Sequence, residues 1–165
     1  TEDARRYVQR TEDTYDIVIV DAYYADSLPF HLTTEEFLKE VEAVMAPDGV
    51  LAYNVISAPA GDASDLFRSM YRTASGVWKN IWVFPLGYGY DRIAESRRNI
   101  LVFATDSPVT RDELLLRIAG RVDGRVTIDG YPEMLYDLYE EPVPVADVPL
   151  LTDSHAPTDS LIDGQ

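Results

Sequence analysis

The residues best placed to do chemistry cluster around Asp21. It ends the segment Tyr15-Asp-Ile-Val-Ile-Val-Asp21 and is followed within a few positions by Tyr23, Tyr24, Asp26 and His31. A carboxylate beside aromatic rings suits a cationic ligand. The acid pairs with the positive charge, and the ring faces offer cation–π attraction. The alternative is that Asp21 only caps a loop or a helix terminus. Strand ends are reused so widely across α/β folds that position alone leaves the two readings equal.

Other chemistries are excluded by what the chain lacks. It has 165 residues with no cysteine and two histidines, His31 and His155. No thiol nucleophile, disulfide or transition-metal site is expected from that set. No G-x-G-x-x-G, Walker or G-x-S-x-G motif occurs, since Gly87-Tyr-Gly89 lacks the third glycine. The formal net charge is −15, the wrong sign for a nucleic-acid surface. The acidity fits either attraction of a cationic substrate or a solvated acidic shell of the kind seen at high salt. No apolar run is long enough to span a bilayer, so no membrane contact is expected from this segment; the lack of cysteine fits an expected cytoplasmic location.

The elements that must position Asp21 are readable from periodicity. Thr1–Arg10 predicts a short helix with Ala4, Tyr7 and Val8 on one face. The run Ile17–Val20 is β-branched and apolar throughout, which predicts a strand buried on both faces of a parallel sheet. Thr33 and Glu36 predict a capping box ahead of a helix with Phe37, Leu38, Val41, Val44 and Met45 as its stripe, stopped by Pro47-Asp48-Gly49. Val50–Ser57 is the next strand, giving a right-handed parallel strand–helix–strand unit. A helix over Asp62–Ala74 turns Leu66, Phe67, Met70 and Tyr71 inward. Trp78–Pro85 and Asn99–Thr105 predict an antiparallel closing pair around the loop Leu86–Arg98. A second capping box, Thr110 with Glu113, opens a helix bearing Leu114, Leu115 and Ile118. A further helix is expected over Tyr131–Tyr139, and an irregular tail from Glu141.

The expected organisation is one α/β domain over 1–165, with the sheet core in 1–106 and C-terminal helices and tail in 107–165. Nothing in Thr1–Thr14 offers a strand to cover the second edge of the Ile17–Val20 strand. An apolar edge left open invites association. The chain is therefore expected to be the C-terminal part of a larger domain, and to associate as a homo-oligomer.

Several segments carry a family resemblance: Asp3-Ala-Arg-Arg-Tyr7, the block from Tyr15 to Tyr23, Ser27-Leu-Pro-Phe-His-Leu-Thr-Thr34 with Glu36-Phe37, Pro47-Asp-Gly-Val50 and Asn54-Val-Ile56. Together they resemble the spermidine synthase (aminopropyltransferase) family. The tail Leu150–Asp159 is similar to the closing segment of its spermidine-synthase-like branch, some members of which are fused to membrane transporters. The resemblance implies a Rossmann-like fold of the S-adenosylmethionine-dependent methyltransferase type, with a mostly parallel sheet ending in an antiparallel strand. The family's N-terminal strands, glycine-rich adenosyl loop and ribose-binding acid are absent here. It implies aminopropyl transfer from decarboxylated S-adenosylmethionine, a co-substrate rather than a permanent cofactor, to a diamine such as putrescine. The products would be spermidine and methylthioadenosine. Asp3 matches the acid that reaches the adenine amino group, with Ala4 beside it. Asp21 matches the acid that takes a proton from the attacking amine. Asp26, with Tyr23 and Tyr24, falls where the amine substrate is held. Typical members place the second acid three positions after the first, where this chain has Tyr24. Methyl transfer from intact S-adenosylmethionine and a non-catalytic nucleoside-binding or assembly role remain alternatives. The piece alone is expected to be inactive.

Overall fold

The computed structural model describes residues 2–22, 28–122 and 132–163. Four strands form one sheet: β1 (Tyr15–Val20), β2 (Met45–Ser57), β3 (Asn80–Pro85) and β4 (Arg98–Thr105), in the order β1-β2-β4-β3. β1 pairs parallel with β2, while β4 runs antiparallel to both β2 and β3. The antiparallel strand, last in the sequence, thus lies inside the sheet. The crossover α2 (Glu35–Ala43) and the helix α3 (Asp65–Ser75) bury Phe37, Leu38 and Val41, and Leu66, Phe67 and Met70. These side chains join Leu51, Tyr53, Val55, Ile100 and Val102 in one apolar core. On the other face α5 (Arg111–Val122) contributes Leu114 and Ile118 to an apolar cavity of about 230 Å³ with Trp82, Phe84 and Phe103. Among the described residues no helix is long and apolar enough to cross a membrane.

Several local expectations shift, each for a visible reason. The α2 cap is Thr34, whose hydroxyl accepts the Phe37 N–H at 3.3 Å. Thr33 is unavailable because its hydroxyl donates to the Phe30 carbonyl at 2.7 Å. Glu36 does not close a capping box but accepts the Asp153 N–H at 3.0 Å. The Thr110–Glu113 box forms as expected, with both reciprocal bonds present. Pro47-Asp48-Gly49 does not separate helix from strand. It bulges out of β2, whose register with β1 jumps from Tyr15↔Met45 to Ile17↔Val50. The close approach there needs a glycine, since a Cβ on Gly49 would sit 2.9 Å from the Ala46 carbonyl oxygen.

The two-sided burial expected for β1 is not observed. Val20 is buried, but Ile17 is 64% exposed and Ile19 73%. β1 is the edge strand, and α2 and α3 cover only the face that holds Val20 and Tyr53. A continuous apolar run records two apolar faces; it does not supply the layers to cover them.

The tail is held more firmly than its composition suggests. Leu151 is fully buried, its carbonyl takes the Glu35 N–H at 2.8 Å, and its own N–H bonds the Thr73 hydroxyl at 3.1 Å. A short helix, α6 (Thr158–Asp163), follows. The tail also reaches back to the first helix, α1 (Ala4–Val8), which buries none of its residues. Arg5 grips Glu40 of α2 through Nε (2.8 Å) and Nη2 (2.9 Å), and Asp153 through Nη1 and Nη2 (both 2.7 Å). Its Nη1 also donates to the His31 carbonyl at 3.2 Å. Thr34 donates its hydroxyl to Asp153, and Gln9 its amide to Glu40. The guanidinium holds both carboxyls below their ordinary range, and the carboxylates in turn raise Arg5.

Two stability measurements check this architecture. Phe67→Ala empties a fully buried site and is expected to cost about 3–5 kcal/mol in urea unfolding, whereas Ile19→Thr on the exposed face stays within about 0.5 kcal/mol. Equal costs would mean that Ile19 is covered in solution. Arg5→Met is expected to cost about 1–2 kcal/mol at neutral pH, a modest figure because Asp153 is half-exposed. The Glu40 and Asp153 carboxyls titrate lower folded than unfolded. Their contribution is therefore complete above the unfolded values and is lost as pH falls through the folded ones. The stability gap between wild type and Arg5→Met should hold above about pH 5 and narrow as pH falls below about 4, through the lowered folded values; a constant gap would exclude these ion pairs as its source.

Candidate functional site

The β1–β2 ladder ends at Val20↔Tyr53. The next residue on each strand is polar. Asn54 donates its Nδ2 to Asp21 Oδ1 at 3.0 Å. Val20 and Tyr53 are buried on the helix-covered face, so side-chain alternation along β2 sends Asn54 to the open face. Asp21 is exposed. Among the described residues its partner is this side-chain amide. The Asn54 Oδ1 is buried and has no hydrogen-bond partner among the described residues. An orphaned acceptor next to a carboxylate is a costly arrangement unless a donor fills it. The exposed Asp21 carboxylate suits a group that donates and is positively charged, such as an ammonium. The importance of Asn54 was missed in the sequence; only the strand register brings it opposite Asp21.

The chain leaving Asp21 returns to the described residues at Leu28, which is buried. Tyr23, Tyr24 and Asp26 lie outside the described residues. A 3₁₀ turn over Phe30–Leu32 is fixed to the sheet by the Tyr53 hydroxyl, which donates to the Leu32 carbonyl at 3.1 Å. His31 in this turn approaches Asp3 Oδ2 through Nε2 at 3.2 Å. Asp3 caps α1, accepting the Arg6 N–H on Oδ1 at 3.0 Å. That backbone bond, followed by the His31 contacts, holds the Asp3 carboxyl below its ordinary value. Asp3 is thus tied to the rim turn that follows Asp21. Ala4 flanks a groove of about 450 Å³ between α1 and the exposed face of β1, with Tyr7, Tyr15, Ile17 and Ile19. His155 sits in the tail, exchanging backbone hydrogen bonds with Thr152. Among the described residues no group of three or more histidine, aspartate or glutamate side chains could hold a metal ion. A larger cavity, about 690 Å³, lies between α5 and the turn Pro132–Asp137 and contains none of the candidate residues.

No family model matches the chain. Over 83 residues it is 34% identical to a polyamine aminopropyltransferase of Vibrio vulnificus, a stretch that is 48% of this chain and 27% of that protein. Over 122 residues it is 30% identical to an N-terminal histidine N-methyltransferase of Emericella nidulans, covering 66% of this chain and 20% of that one. The chain spans well under a third of the length of these curated relatives. Among solved structures, spermidine synthase from Thermotoga maritima superposes with a TM-score of 0.61 at 21% identity, over 84% of this chain and 44% of that one. Human methyltransferase-like protein 13, in complex with SAH, gives 0.53 at 18% identity, over 89% and 62%. At those identities the structures show the fold, that of the S-adenosylmethionine-dependent methyltransferases. The chain is thus similar in sequence, over part of its length, to a polyamine aminopropyltransferase and to a histidine N-methyltransferase, and in fold to spermidine synthase.

Proposed function

We propose that the intact protein transfers an aminopropyl group from decarboxylated S-adenosylmethionine to a diamine such as putrescine, and that Asp21 serves as the base. The observation that supports this reading is the exposed Asp21 carboxylate at the end of β1, held by the Asn54 side-chain amide at 3.0 Å. At neutral pH a primary amine is an ammonium without a free lone pair. The carboxylate first holds the cation, then takes its proton. The freed nitrogen attacks the carbon beside the sulfonium. The C–N bond forms as the C–S bond breaks, the electron pair goes to sulfur, and methylthioadenosine leaves. Holding the two reactants in line supplies much of the rate. Asn54 Nδ2 holds the Asp21 carboxylate in place to receive the amine. Tyr23, Tyr24 and Asp26 complete the amine side, and Asp3 with Ala4 receives the adenine. The chain's net charge of −15 suits a polycation and opposes nucleic acid.

A second reading, methyl transfer from intact S-adenosylmethionine, draws on the similarity to a histidine N-methyltransferase. One assay separates the two. The intact protein is given decarboxylated S-adenosylmethionine with putrescine, and in parallel S-adenosylmethionine with candidate acceptors. Release of methylthioadenosine is the expected result. Release of S-adenosylhomocysteine alone would establish the second reading. Asp21→Asn is expected to lower turnover by about 10²–10⁴-fold, far more than Asp26→Asn. Equal losses would contradict the assignment of Asp21 as the base.

A further inference from the structure

Arg5 makes more bonds than its place on a five-residue helix explains. α1 buries none of its residues fully, and only Val8, at its C-terminal end, packs partly buried against the core. Its N-terminal end is tied by the Arg5 guanidinium, which is 13% exposed and bridges Glu40 of α2, Asp153 of the tail and the His31 carbonyl. The same turn sends the His31 ring to Asp3. Arg5 and Asp3 lie two residues apart and are thus tied to the same rim turn by separate bonds. Asp153 is itself held by the Thr34 hydroxyl and by Glu36, so the far end of the grip is anchored at the start of α2.

We propose that Arg5, clamped by Asp153 and Glu40, is a positioning residue that sets the Asp3 carboxylate for the adenosyl co-substrate, which makes the C-terminal tail part of the nucleoside site. The inference rests on the reading of Asp3 as the adenine-binding acid. A planar fork is needed because two carboxylates are gripped at once. Lysine offers one point charge and cannot reproduce both bidentate contacts.

The test uses the intact protein and methylthioadenosine as the probe. Arg5→Met and Asp153→Asn are each expected to weaken methylthioadenosine binding about tenfold and to raise the co-substrate KM to match. The kcat at saturation stays within about twofold. The double variant is expected to be no weaker than Arg5→Met alone, because both changes break one contact. Arg68→Met is the control. Arg68 also ties the tail, through the Pro144 carbonyl and Asp147, but from α3 rather than α1. It should lose stability without losing nucleoside affinity. Unchanged affinity in Arg5→Met, or an equal loss in Arg68→Met, would overturn the inference. A wild type that binds no methylthioadenosine would overturn the reading of Asp3 itself and this inference with it. Wild-type binding with an unaffected Arg5→Met overturns this inference alone.

Discussion

Everything proposed for this chain depends on one parallel ladder, β1 against β2, and on where it stops. Its last pair, Val20↔Tyr53, is buried under α2 and α3. The pairing fixes how far each strand extends, and one step further the two backbones carry Asp21 and Asn54 side by side. A slip of one residue would send Asn54 into the apolar core and leave Asp21 without its partner. The register is secured by burial. Leu51, Tyr53 and Val55 all face the core, and shifting them outward would expose most of the apolar surface that holds the sheet to its helices. Tyr53 does a second task by fixing the Leu32 carbonyl, which places the turn that returns from Asp21.

The apolar core reaches α1 only at its last residue, Val8, which is partly buried against it. That helix lies beside the exposed face of β1, and ionic contacts tie its N-terminal end. Such contacts are individually modest when solvent reaches them. Here several converge on one guanidinium that is mostly buried, and bidentate geometry makes each more directional than a lone ion pair. The result joins three parts of the chain distant in sequence: the first helix, α2 and the tail.

Local signals made much of the fold legible, and contacts between distant residues account for most of what was missed. The β-branched run Ile17–Val20 announced a strand, and Thr110 with Glu113 announced a helix start, because each depends on neighbours within a few residues. The α2 cap moved by one position because Thr33 and Glu36 found partners in Phe30 and Asp153. Leu151 and Asp153 read as parts of a loose tail, since their partners, Thr73 and Arg5, lie 78 and 148 residues away. The candidate site divides the same way. Asp21 could be picked out from its place after an apolar strand. Asn54 could not, because its role arises from the register between two strands and not from any spacing along one of them. Exposure of Ile17 and Ile19 was misjudged because composition describes a face and not what lies over it.

The central claim is that Asp21 and Asn54 form the seat of an amine. The most direct test is an NMR titration of the isotope-labelled intact protein with putrescine in the presence of methylthioadenosine, following the Asn54 side-chain amide and the Asp21 backbone resonance. The account predicts that both shift together on a single saturating curve, and that Asp21→Asn abolishes the shift at Asn54. Putrescine binding that leaves both resonances in place would contradict it.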